Sequence, residues 1–165
     1  MRKIIFLILI FSCFCFSKVF LKDEINISGS GEEVFAIGEN IQLNGIFKNE
    51  FLGLGKNIKG SLKVEGDFLS ACLNEEISSS IVNGDFYSTG NKISFEGKVG
   101  ESFTCIARSF LIKNSEIRGN LRVVANRISV ENTKVLQKSF FYGEKVKISG
   151  VFSDVVIHGK EIEIE

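Results

Sequence analysis

The sequence predicts an all-β fold: a single-stranded parallel β-helix (solenoid) with rungs of about 17 residues, roughly eight to nine rungs and a triangular section. Three observations predict it. A short pattern (acidic residue, apolar, any, small, any, Gly, then an apolar pair and another Gly) returns along the chain from Glu33. Within each copy the apolar residues alternate with period two, which is a strand signature. The composition fits, with 16 Phe and 16 Gly but no Pro and no Trp, because Phe, Ile and Val favour strands and Gly favours tight turns.

The copies start at 33, 50, 67, 85, 102, 120, 138 and 154, in steps of 17, 17, 18, 17, 18, 18 and 16. Stacking them produces columns. The first is large and apolar: Val34, Phe51, Phe68, Phe86, Phe103, Leu121, then Val155. Two residues on, a smaller column holds Ala36, Gly53, Ser70, Ser88, Cys105, Val123 and Ile157. Two further on is a corner with Gly38, Gly55, Gly90, Gly143 and Gly159, among which stand Cys72, Ala107 and Ala125. A second face follows with Ile41, Ile58, Glu75, Ile93, Phe110, Ile128, Val146 and Ile162. A third carries Phe47, Val64, Val82, Val99, Ile117, Val135 and Val151. One copy cannot bury three faces alone, whereas stacked copies bury them as continuous ladders. At about 4.8 Å per rung, eight rungs make a rod of about 40 Å.

The ends frame this array. Ile25, Ile27 and Gly29 fit a partial rung before Glu33, so the solenoid domain is read as residues 18–165, with no linker and no second domain. In the last rung Ile162 and Ile164 fill the second face, and no third face closes it. Open rungs expose unpaired backbone groups. Either this end associates with another molecule, making Ile162 and Ile164 a self-association end, or the sequence is cut short.

Residues 1–17 are of a different kind. Arg2 and Lys3 precede an apolar run from Ile4 to Phe16, broken by Ser12, and Cys15 and Ser17 stand at −3 and −1 before Lys18. That is the layout of a secretory signal peptide. The run is shorter than the roughly 20 residues that span a bilayer. Even uncleaved, the positive end would stay in the cytoplasm and place the rest outside. Ile10-Phe11-Ser12-Cys13 also resembles a bacterial lipobox, so a lipidated Cys13 stands beside ordinary cleavage and an uncleaved N-terminal membrane anchor. In each case the domain is exported, to the periplasm or to the extracytoplasmic side of a membrane.

Chemistry-bearing residues are sparse. The chain has 20 basic and 20 acidic residues, which does not suggest nucleic-acid binding. His158 is the only histidine and falls at an outward position. Cys72 and Cys105 lie two rungs apart, beyond the reach of a disulfide, and read as small core residues. Glu75 falls in an inward column. An unpaired buried carboxylate is costly, so a local shift is expected there, with Leu73 or Ile77 taking the inward place. The acidic starters Glu33, Glu50, Asp67, Asp85 and Asp154 could suggest a calcium ladder, but calcium needs six to eight oxygens close together. They read better as corner residues accepting backbone hydrogen bonds. No nucleotide-binding loop, Ser-His-Asp set or paired-carboxylate pocket appears. The expectations are therefore no catalytic residue, no metal and no cofactor.

Repeats such as EVFAIGENIQLNG and DFYSTGNKISFEGKVG resemble those of bactofilins, the polymer-forming cytoskeletal proteins, over about residues 25 to 165. The resemblance implies a right-handed β-helix that polymerises end to end into nonpolar filaments without nucleotide, often at the bacterial envelope. It brings no catalytic residues. The export signal makes the chain most similar to exported bactofilin-like repeat proteins. The expected function is thus a non-enzymatic structural or scaffolding protein of the cell envelope whose partner is itself, with membrane or peptidoglycan as further candidates. The alternatives are a glycan- or partner-binding rod, for which Phe35 and Tyr87 are read as outward aromatics, and a β-helix acyltransferase or polysaccharide lyase. Steps of 17 and 16 break the eighteen-residue rung of the acyltransferases, and the lyases need longer, loop-bearing rungs.

Overall fold

The computed structural model describes residues 18–165, so the signal-peptide reading of residues 1–17 and lipidation of Cys13 lie outside the described residues. Ten strands follow in chain order: β1 (Lys18–Leu21), β2 (Glu24–Gly31), β3 (Val34–Phe47), β4 (Phe51–Val64), β5 (Phe68–Val82), β6 (Phe86–Val99), β7 (Phe103–Ile117), β8 (Leu121–Tyr142), β9 (Lys145–His158) and β10 (Glu161–Ile164). The strands pair in parallel in the order β1-β3-β4-β5-β6-β7-β8-β9-β10, and β2 also pairs with β3. Each long strand winds round a turn and lies on the next turn over most of its length. The result is a β-solenoid of about nine turns.

The columns read from the sequence are the register of this sheet. Val34 pairs with Phe51, and the line continues through Phe68, Phe86, Phe103 and Leu121. All six are fully buried. Because parallel in-register pairing puts like above like, the phenyl rings stack. Centroids are 5.0 Å apart for Phe51–Phe68, 4.6 Å for Phe68–Phe86 and 4.4 Å for Phe86–Phe103. Aromatic pairs add roughly 0.5–1.5 kcal/mol each beyond the area they bury. On the second face Ile41, Ile58, Ile93, Phe110, Ile128 and Val146 are buried in the same way.

The alternation of 17- and 18-residue steps has a cause at the corner between the second and third faces. The 18-residue turns are those starting at Phe68, Phe103 and Leu121 (86 − 68, 121 − 103 and 139 − 121). They carry Ser79, Asn114 and Asn132, with φ of 49°, 47° and 45°. A single left-handed residue lets the extra position bulge without moving the flanking columns. Gly97, in register with Ser80, and Gly150, in register with Thr133, carry positive φ at this corner in shorter turns. The first corner is different. Gly38, Gly55 and Gly90 align in one column with Cys72, Ala107 and Ala125, and what distinguishes the glycines is close approach: a Cβ on Gly90 would strike the carbonyl oxygen of Cys72. Gly143 and Gly159 occupy the same corner in the last two turns.

Four expectations need correction. Glu75 keeps its inward place, in register with Ile58 and Ile93, and is buried, while Leu73 is exposed and Ile77 is buried in its own column. Val151 is exposed because it pairs with Lys134, and Phe152, paired with Val135, packs against the core. Ile162 holds its ladder position against Val146 yet is 48% exposed. Phe35 takes the outward place read for it, in register with Val19 and Leu52, yet it is buried.

One further irregularity is internal. In the penultimate copy of the first face the large position holds Ser139 and the following small position holds Phe141, both fully buried. The ring has moved two residues along, and Phe152 meets it edge-on at 6.2 Å.

Candidate functional site

The acidic corner is a backbone ladder. Asp67 Oδ1 accepts the Asp85 N–H at 2.8 Å, and Asp85 Oδ1 accepts the Ser102 N–H at 2.7 Å. Ser102 Oγ accepts from Asn120, and Asn120 Oδ1 from Lys138. Each side chain satisfies a donor one turn on, which is the structural reading of these residues. Among the described residues no three His, Cys, Asp or Glu side chains form a group able to hold a metal ion.

A second ladder runs along the outside of the neighbouring corner. Asn40 Nδ2 donates to Glu24, Asn57 Nδ2 to Asn40 and Asn74 Nδ2 to Asn57, at 2.6, 2.6 and 2.9 Å. Stacked amides of this kind fix register along the rod axis.

Inside the rod, Glu75 is the centre of a small polar cluster. Ser70 Oγ donates to Glu75 Oε2, and Cys72 Sγ lies 3.8 Å from the same oxygen. Ser88 Oγ faces the same carboxyl from the next turn without completing a hydrogen bond, and Glu75 Oε1 has no partner. Burial pushes the Glu75 carboxyl up to about 7, against the lowering effect of Ser70. Burial also pushes up the free thiols of Cys72 and Cys105. The cluster has the composition of a carboxyl–thiol centre, but it is sealed from solvent, so it acts on folding.

The last turn presents a different surface. Ile162 and Ile164 lie in register over Val146 and Ile148, which are each 2% exposed, but are themselves 48% and 68% exposed. Five ion pairs tie this turn to the one beneath: Lys145–Glu161, Lys147–Glu163, Lys147–Glu165, Lys160–Glu144 and Lys138–Asp154. Exposed pairs contribute little each, and their regular placement serves register. His158 is exposed, as expected, with Phe140 and Tyr142 within 5.9 and 6.3 Å by ring centroid.

Sequence reasoning missed the outer surface of the first face. Its outward positions lie between the inward columns, at Leu52, Leu69, Ile106, Val124, Phe140 and Tyr142 among others. Over nine levels the 18 outward positions hold 14 apolar or aromatic residues, the others being Thr89, Thr104, Arg122 and His158. The outer second face is polar at the matching places, with Gln42, Asn57, Lys59, Lys92 and Arg127. Near the end of the apolar stripe a hollow of about 550 Å³ opens between Ile106, Val124, Tyr142 and His158. The signal was present in the sequence as unbroken runs such as VFAI and FLGL, which in a parallel sheet mark strands meant for cover on both sides.

Comparison with family models, curated proteins and solved structures gives no match to this chain.

Proposed function

We propose that this chain is a non-enzymatic structural rod of the bacterial cell envelope that assembles end to end with copies of itself. The observation that carries the reading is the way the turns meet, like residue over like residue in columns such as Val34, Phe51, Phe68, Phe86, Phe103 and Leu121. Ile162 and Ile164 are exposed ladder members above buried Val146 and Ile148. Since turns of this solenoid meet through shared columns and backbone hydrogen bonds, a further turn of the same kind fits that surface. An unpaired strand edge is a ready template for such addition. The resemblance of the repeats to bactofilins supports the polymer, and the signal-like residues 1–17 support the envelope location, with membrane or peptidoglycan as neighbours.

Negative-stain microscopy and sedimentation of the purified chain test this. Rods longer than one molecule, shortened by Ile162→Lys with Ile164→Lys, are the expected result. A species that stays single at high concentration, with no effect of the two lysines, sinks it. Exposed Tyr87 and Tyr142 favour a second reading, a glycan-binding rod, which retention of the chain on peptidoglycan would support.

A further inference from the structure

We propose that the outer surface of the first face is a lateral interface on which a second copy of this chain seats, sheet against sheet. This goes beyond end-to-end growth, because it uses the side of the rod rather than its end. Water-facing sheets carry polar residues on their outer side, and the second face of this rod does so. The first face does not: Ile106 is 57% exposed, Tyr142 58% and Val124 42%. Contiguous apolar surface of this extent marks an interaction site in soluble proteins.

The dimensions select the occupant. Phe35 on this face is already covered, so the free run is the seven levels from Leu52 to His158. At about 4.8 Å each and five residues across at about 3.3 Å they give about 550 Å², and two copies together bury about 1,100 Å², above the roughly 1,000 Å² that a specific interface needs. A second rod offers a sheet of the same length and apolar character. Two such sheets pack about 10 Å apart with strands nearly aligned, so the rods lie side by side along those seven levels. An anionic lipid surface fits less well, because the corner bordering this face is lined by Glu50, Asp67 and Asp85, and like charge opposes approach.

The test uses the full chain carrying Ile162→Lys and Ile164→Lys, which removes the end surface. Sedimentation velocity with small-angle X-ray scattering is expected to show a two-copy species whose longest dimension is close to that of one rod. Adding Ile106→Glu with Val124→Glu, both on the outer side, is expected to give single copies with unchanged far-UV circular dichroism. Gln42→Glu with Ser94→Glu, on the second face, is expected to leave the pair intact.

Single copies throughout the concentration range overturn the proposal, as does a pair that survives the Ile106 and Val124 changes. It is also overturned if the protein stays single but floats with phosphatidylglycerol vesicles through this face, or if pairs form only after residues 1–17 are deleted, which would make that segment the cover. The end-to-end reading fails separately. Single-width rods from the unaltered chain would keep it and sink lateral pairing, and pairs without rods would do the reverse.

Discussion

Ser70 Oγ donates a hydrogen bond to Glu75 Oε2 across the interior of one turn, five residues apart in sequence and on two different faces. The other carboxylate oxygen has no partner. Desolvation therefore dominates, and the folded carboxyl rises to about 7 from an ordinary 4.5. The folded state then holds this proton more tightly than the unfolded state. Its contribution to stability is complete below about pH 4.5, declines as pH rises towards 7 and is absent above it. Urea unfolding of wild type and Glu75→Gln at pH 5 and pH 8 checks this. The variant is expected to gain on wild type as pH rises, and a difference independent of pH would refute the assignment.

The stacked rings give a second expectation. Phe86 touches Phe68 and Phe103 face to face and Phe95 edge-on at 4.9 Å. Phe86→Ala removes the middle of that stack, where the turns above and below fix the backbone and limit collapse. A loss of about 3–5 kcal/mol is expected. Guanidinium unfolding measures it, with Ser94→Ala on the outer second face as a control expected within about 0.5 kcal/mol.

What the sequence made legible follows from what a column can record. Val34 through Leu121 and Ile41 through Val146 were readable because large apolar residues recur at a fixed offset in register. Phe152 was not, because the step shortens to 16 after residue 138 and moves the inward place by one. Glu75 was misplaced because the cost of a buried carboxylate was weighed without Ser70, which lies five residues earlier and meets it only once the corner is turned. The outer stripe escaped notice because alternation selects the inward residues and leaves their apolar neighbours unexamined. The left-handed corner left one faint trace, the extra residue in each 18-residue step.

That corner makes a prediction of opposite signs. Ser79 has φ 49°, a conformation unfavourable for a residue with a Cβ, so Ser79→Gly relieves strain. A gain of up to about 1 kcal/mol is expected, set against the entropy glycine loses on folding. Gly97 has φ 151° and no room for a Cβ, which would meet the carbonyl oxygen of Ser80. Gly97→Ala is expected to cost at least about 1 kcal/mol. Thermal unfolding of the two variants side by side decides it, and shifts of the same sign would contradict this account of the corner.

Ser139 and Phe141 are expected to be coupled, because between them they fill a volume that Leu121 and Val123 fill one turn below, in the reverse order of size. Ser139→Leu alone inserts bulk beside a fully buried ring, and overpacking costs typically about 1–3 kcal/mol. Phe141→Val alone leaves a void beneath Phe152. Together the changes restore the large-then-small order of the neighbouring turn and remove the unpartnered hydroxyl of Ser139. The double variant should therefore be more stable than the sum of the single effects by about 0.5–3 kcal/mol, the range found for residues sharing one site. A double-mutant cycle of denaturant unfolding measures this term. Strict additivity would mean that the two positions fill separate spaces and that the exchange of large and small is incidental.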